Sequence, residues 1–301
     1  MSLKITKAAE PIAVERLNLC IYAQPGIGKT SLAFTADAPL LLDFDQGAHR
    51  AANRKDVVRV AHWGDVASIS ADDLAPYRTV IVDTAGRALD TLTADIIRRN
   101  PKAGRGGALT LQGYGTLKAE FVAWLKLLNS LGKDVILIAH MDEQRNGDEI
   151  IERLDVQGGS KGEIYKAADA MGRIAIREGT RVLNFSPTDA AFGKNPGQLD
   201  PLPIPHKDAP EFADFLAGVV QQIKDRLNTL TEDQRAAQAQ TDEWRIAIEG
   251  YASVEEFNTA LPEVKDQSVA VKALFNRAAE ARGYRFDKKA GEYRAPEQEA
   301  A

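Results

Sequence analysis

Residues 23–30 read A-Q-P-G-I-G-K-T. The apolar run Leu17–Tyr22 precedes them, and a helical pattern over Lys29–Ala36 follows. A phosphate-binding loop requires this strand–loop–helix setting. Backbone amides must converge on phosphate oxygens, and glycine at Gly26 and Gly28 lets the chain curl with no Cβ in the way. The helix that opens at Lys29 turns its N-terminal amides and positive dipole end toward the same place. Lys29 is placed to reach the β- and γ-phosphates of a nucleotide, and the Thr30 hydroxyl to ligate Mg²⁺. The cradle thus comprises Gln24, Pro25, Gly26, Ile27, Gly28, Lys29, Thr30 and Ser31. Ala23 stands where this pattern more often has glycine, which narrows the conformations open to the loop entrance.

Outward from the loop, β-branched and apolar runs alternate with helical patterns. Strands are predicted at Pro39–Phe44, Val57–Val60, Thr79–Asp83, Val135–Ala139, Arg173–Ile176 and Arg181–Phe185. Several are apolar without alternation, as parallel strands covered on both faces are. Helices are predicted at Arg87–Arg99 and Leu117–Leu131; in the latter, Leu117, Phe121, Trp124, Leu125 and Leu128 recur at steps of three and four. The alternation specifies an α/β fold with a mostly parallel central sheet. R-T-V-I-V-D-T-A-G places Asp83 at the end of an apolar strand, where phosphate-loop enzymes hold the Mg²⁺ shell with a carboxylate.

Pro196, Pro201, Pro203 and Pro205 crowd one short stretch, which reads as an extended crossing. Beyond it every pattern is helical: Glu211–Leu227, Asp233–Glu249, Val254–Leu261 and Val264–Arg282, before a tail expected to fray. The expected organisation is an ATPase core over 1–206 and a small helical region over 207–301, with Trp244, Ile248, Phe257, Leu261, Leu274 and Phe275 forming the core of the latter.

The chain has 301 residues, 44% of them hydrophobic and 27% charged, the composition of a folded globular protein. Its one cysteine, Cys20, excludes an internal disulfide and a cysteine-rich zinc site. No apolar run is long enough to span a membrane, and the first residues lack a signal peptide's apolar stretch, so a cytoplasmic protein is expected. Net charge is −5. Residues 1–206 carry 25 cations and 25 anions, so the excess is all C-terminal. Bulk charge therefore does not favour nucleic acid, and a site for it must be a local basic patch.

L-L-L-D-F-D-Q-G-A-H-R, the second strand, carries Asp43 and Asp45 just past the phosphate loop. Together with the loop and Asp83, this resembles the RecA-like ATPases, and more narrowly the phage single-strand-annealing (Sak-type, core-only) members that lack an N-terminal polymerisation domain. The resemblance covers about Leu17–Ile204 and implies a RecA-like core. It implies that Asp45 polarises the attacking water, although RecA has the longer glutamate there. His140, ending V-I-L-I-A-H, falls where the family carries a γ-phosphate sensor. Arg98–Gly115 contains Arg98, Arg99, Lys102 and Arg105, no acid, five glycines that are expected to make it mobile, and Tyr114; it occupies the slot of the first DNA-binding loop. The second such loop corresponds to M-D-E-Q-R-N-G-D through V-Q-G-G-S-K-G-E, with Arg145 and Lys161. Arg177 and Lys194 are candidates to complete a neighbouring subunit's site.

Family likeness thus implies a slow, DNA-stimulated, Mg²⁺-dependent ATPase that binds single-stranded DNA and anneals complementary strands. Its partners would be a single-strand-binding protein and further copies of itself. Residue spacing alone reaches only the ATPase. A helicase-like motor, a nucleotide switch that never touches DNA, and a non-catalytic ATP-binding scaffold stay open.

Overall fold

The structure is a computed structural model and describes residues 13–146, 149–156, 161–188 and 190–295. In chain order the elements begin β1 (Asn18–Ala23), α1 (Lys29–Ala33), β2 (Pro39–Asp43), β3 (Asp56–Arg59), α2 (Gly64–Ala67), β4 (Thr79–Asp83) and α3 (Ala85–Arg99). There follow β5 (Gly104–Arg105), β6 (Ala108–Leu109), α4 (Leu111–Ser130), β7 (Asp134–Asn146), β8 (Glu149–Leu154), α5 (Lys161–Ala167), β9 (Ala170–Arg177), β10 (Thr180–Asn184) and β11 (Leu202–Pro203). The chain continues through α6 (Phe215–Glu249), α7 (Val254–Lys265), α8 (Val269–Ala281), β12 (Arg285–Asp287) and β13 (Glu292–Arg294).

The main sheet runs β11-β10-β9-β1-β7-β4-β2-β3, with β8 attached to β7. From β9 to β3 all neighbours are parallel, while β10, β11 and β8 join antiparallel. Period-two geometry explains the unbroken apolar runs. Cys20, Tyr22, Val80, Val82, Val135 and Leu137 point to one face, where α3 and α4 pack. Leu19, Ile21, Ile81, Ile136 and Ile138 point to the other, against α1 and the start of α6. Both helices of the first face are capped by threonine: Thr84 Oγ1 accepts from Arg87 N and Thr110 Oγ1 from Gly113 N. The Cys20 thiol is buried and desolvation pushes its pKa up to about 12, so it acts as a small apolar core residue.

Three sequence expectations change. β7 does not stop at Ala139 but runs to Asn146. It pairs with β1 as far as Ala23↔His140, then turns to antiparallel pairing with β8. The glycine-rich stretch after α3 is a hairpin, β5–β6, rather than a mobile loop. Gly106 (φ 59°) and Gly107 (φ 81°) supply the two positive-φ residues of a tight turn, and a Cβ on Gly113 would lie 2.5 Å from Ala103 O. The C-terminal part is not wholly helical, since β12 and β13 form a further hairpin.

Compact units divide the chain at 228/229: one is Val14–Asn228, the other holds the chain from Thr229 on. The composition change at 206/207 lies upstream because Phe212, Leu216, Val219, Val220 and Ile223 are core residues of the sheet unit. Thr35 fixes this return, its Oγ1 accepting from Leu216 N (3.0 Å) and its carbonyl from Ala217 N (3.0 Å). In the second unit Ile248, Phe257, Val264, Phe275, Ala279 and Tyr293 form a separate core. Ser253 and Glu256 close a capping box at the start of α7.

Candidate nucleotide site

The candidate residues gather at the C-terminal ends of β1, β4 and β2, with His140 of β7 level with them, at the edge where open α/β sheets bind ligands. Parallel register brings them level: Ala23 faces His140, and Asp83 pairs with Asp43. Gly26 (φ 78°) and Gly28 (φ 94°) both adopt the left-handed conformation that the loop's curl needs. Lys29 is buried, with Nζ donating to the carbonyls of Ala23 (3.0 Å) and Gln24 (2.8 Å) and lying 3.4 Å from His140 Nδ1. The Thr30 hydroxyl donates to Asp83 Oδ2 at 2.7 Å. A cleft of about 420 Å³ opens here, lined by the loop, Asp45, Arg50, Asp83 and His140.

Burial dominates the electrostatics. Desolvation lowers the Lys29 pKa to about 8 despite the opposing pull of Asp83 and Asp45. Desolvation raises Asp83 to about 6 against the Thr30 hydrogen bond. His140 is lowered by burial and then by the Lys29 charge, which keeps its imidazole neutral at neutral pH. A buried cation bonded only to neutral partners at the mouth of a glycine curl is suited to an anion. No cluster of three His, Cys, Asp or Glu residues that could cage a metal occurs among the described residues. Thr30 and Asp83 suit Mg²⁺, which is commonly bound by one or two protein oxygens plus substrate phosphates.

The two carboxylates past β2 differ in role. Asp43 accepts from Gly47 N (3.0 Å) and Ala48 N (3.1 Å), so it ties the turn. Asp45 reaches the cleft instead, 3.5 Å from Arg87 Nε and 3.9 Å from Arg50 Nη2. Ser31 accepts from Ala52 N (2.9 Å), joining the loop helix to the segment after β2.

Four contributors escape a sequence reading. Arg181 on β10 donates to Ile27 O at 3.2 Å, and its Nη1 lies 2.6 Å from where a Gly28 Cβ would stand. Glu143 accepts from Gln24 Nε2 at 2.6 Å. Arg50 and Arg87 hold Asp45. Arg87 was within reach, being in the first turn after Asp83; Arg181 carries no local signal across the 154 positions from Ile27.

The remaining candidates are scattered. Arg98 and Arg99 are not free cations, because folding brings acids to them from outside their own stretch. Arg98 pairs with Asp95 (2.6 Å), and Arg99 with Asp95 (2.7 Å) and Glu120 (2.6 Å). Lys102 and Arg105 are exposed without an ion pair among the described residues, and Tyr114 is 37% exposed beside the β5–β6 hairpin. Arg145 lies near the end of β7 and Lys161 opens α5; their side chains, and residues 147–148 and 157–160 of the expected second loop, lie outside the described residues. The Lys194 side chain is engaged within its own unit. Its Nζ donates to the carbonyls of Tyr165 (2.5 Å) and Ala168 (2.6 Å) at the end of α5. Arg177 is exposed beside the β9–β10 turn.

Residues 15–196, more than half of the chain, match the model of a family described as an AAA domain. The chain belongs to this AAA-domain family. The fold is accordingly that of a phosphate-loop NTPase with a mostly parallel sheet, followed by C-terminal helices. Among solved structures it is similar to a KaiC-like protein from the hyperthermophilic archaeon Pyrococcus horikoshii OT3, at 8% identity and a TM-score of 0.33, over 56% of this chain and 76% of that one. It is also similar to a prototypical ATPase of the type III secretion system of pathogenic bacteria, at 12% identity and a TM-score of 0.34, over 53% of this chain and 51% of that one. The chain thus spans about half of the secretion ATPase's length. No curated protein matches the sequence. No helix among the described residues is long and apolar enough to cross a membrane.

The AAA-domain site makes a pH prediction. Bound phosphates favour charged Lys29, and a cation at Thr30 and Asp83 favours ionised Asp83. Lys29 starts at about 8 and Asp83 at about 6, so nucleotide–Mg²⁺ affinity is expected to be greatest between those values. Above pH 8 binding must take up a proton at Lys29; below pH 6 it must release one from Asp83. Calorimetry in buffers of different ionisation enthalpy reads the sign directly. Proton release at pH 9 would contradict the assignment.

Proposed function

We propose that this AAA-domain protein is a Mg²⁺-dependent ATPase of the phage recombination type, in which nucleotide governs binding of single-stranded DNA and annealing of complementary strands. The observation that carries the ATPase reading is the convergence of Lys29, Thr30, Asp83 and Asp45 on one cleft. Mg²⁺, when bound, would neutralise charge developing on the phosphate oxygens. Lys29 binds the phosphates, and Thr30 with Asp83 would hold the metal. Asp45 orients and deprotonates water, and neutral His140 receives a hydrogen bond beside Lys29. The protein acts as a homo-oligomer in this reading, alongside a single-strand-binding protein in the cytoplasm.

Support for DNA comes from the resemblance through the loop, Asp45 and His140, and from Lys102, Arg105 and Tyr114 around the β5–β6 hairpin. Each phosphate neutralised on a single strand contributes about −0.7 to the slope of log affinity against log salt. Replacing Lys102 and Arg105 with alanine is expected to flatten that slope by about 1.4 and to weaken binding. Tyr114→Ala should cost about 1–3 kcal/mol if its ring stacks on a base. Arg98→Ala and Arg99→Ala should do less, since their charge is already met by Asp95 and Glu120. Gel-shift titrations over a salt series measure all of this. Unchanged affinity and slope would favour the second reading, a nucleotide switch that does not touch DNA, which the pairing of Arg98 and Arg99 also supports.

A further inference from the structure

The unit from Thr229 on contains a groove of about 550 Å³ between α7, α8 and the β12–β13 hairpin. Leu261, Val264 and Phe286 provide apolar surface, and Phe286, 44% exposed, packs edge-on to Tyr293, 5.2 Å between ring centroids. Lys265, Lys272 and Arg285 also line the groove, and none of them makes an ion pair or side-chain hydrogen bond among the described residues. Elsewhere many exposed cations do find acids, Arg245 with Asp242 and Arg294 with Asp287 in this same unit. Among the described residues Glu280 is the one acid lining the groove. Asn276 accepts from the Tyr293 hydroxyl at 2.6 Å, which leaves its amide N–H groups to donate.

The unit as a whole carries no basic surplus: from Thr229 to the last residue there are 10 Lys and Arg against 14 Asp and Glu. A long polyanion gains little long-range attraction from a unit whose net charge is negative. A nucleic-acid strand is also normally tracked by a continuous basic groove. A short ligand with a few carboxylates and one apolar side chain matches both the charge and the floor. We propose that this groove docks an acidic peptide segment of a partner protein, anchored by an aromatic or large aliphatic side chain. Carboxylates pair with Lys265, Lys272 and Arg285 and accept from Asn276, while the anchor covers Phe286 and Leu261.

The test uses the full chain and a fluorescein-labelled hexapeptide of four aspartates followed by Leu-Phe, read by anisotropy. Saturable binding is expected, weakened by salt. It should fall at least about tenfold when Leu-Phe becomes Gly-Gly, and again when the aspartates become asparagines. Lys272→Glu with Arg285→Glu should cut affinity at least about tenfold. Lys265→Glu alone, on an exposed position of α7, should weaken it in the same direction and guards against a folding defect in the double variant. ATP turnover should not change in any of them. The proposal is overturned by absence of binding at millimolar peptide, by binding insensitive to both charge-reversal variants, or by loss confined to the aspartates with no effect of the anchor. It is equally overturned if a labelled oligothymidylate binds more tightly with the same variant dependence, which would make the groove a nucleic-acid surface.

Discussion

Lys29→Ala is expected to reduce ATP turnover to background, a loss of at least about a hundredfold to a thousandfold, the range seen when one donor to a developing oxyanion is removed. Lys29 is 5% exposed and, among the described residues, is the one lysine lining the cleft. Its charge sits at the loop mouth, bonded to two neutral carbonyls, whereas Arg50 in the same cleft is drawn toward Asp45. The variant should nevertheless fold. In the nucleotide-free state burial holds the Lys29 pKa at about 8, below an unfolded value of 10.5. Below pH 8 the ammonium is therefore carried at a cost to the folded state, a cost that fades as pH rises toward the unfolded pKa. Alanine removes that cost and leaves two carbonyls without a donor, and these changes oppose each other. A Tm within about 4 °C of the parent is expected, which corresponds to roughly 1 kcal/mol in a chain of this size. Turnover assays beside a thermal melt check both halves. Retained turnover would remove the loop from the chemistry.

How far the sequence carried this site depends on how local each contact is. The loop, Thr30 and Asp83 were legible because strand ends and glycine spacing are encoded within a few residues, and parallel register then aligns those ends. The strand faces were legible for the same reason. The β5–β6 hairpin was misread because five glycines suggest mobility, whereas two of them supply a tight turn and Gly113 permits close packing on Ala103. Arg98 and Arg99 looked free because Glu120 lies 21 positions from Arg99, and Asp95 lies just before the acid-free stretch Arg98–Gly115. The partners of Lys194 are backbone carbonyls, which no side-chain pattern announces. Arg181 reaches the loop only through the sheet. The helical assignment of the C-terminal region missed β12–β13 because those strands are three residues each and their support is tertiary. Tyr293 is buried against Phe257 and Phe275, and its backbone N–H donates to Asn258 Oδ1.

Asp45→Asn is expected to bind nucleotide as well as the parent and to hydrolyse it about a hundredfold to ten-thousandfold more slowly, the range for loss of a positioned general base. The geometry separates Asp45 from its neighbour. Both oxygens of Asp43 are occupied by the amides of Gly47 and Ala48. Asp45 is tied through its backbone, its N–H donating to Asp83 O at 3.0 Å, which leaves its carboxylate in the cleft facing Arg87 and Arg50. Asparagine keeps the shape but cannot take a proton. It also removes a negative charge from a site built for phosphates, so affinity should hold or tighten slightly. Asp43→Asn is the contrast: its amide can satisfy only one of the two turn N–H groups, so it should cost about 1–3 kcal/mol of stability. Its turnover per folded molecule should stay near the parent's. Single-turnover hydrolysis, nucleotide titration and denaturant melts on the pair distinguish the two roles. Hydrolysis by Asp45→Asn at the parent rate would mean that another group activates the water.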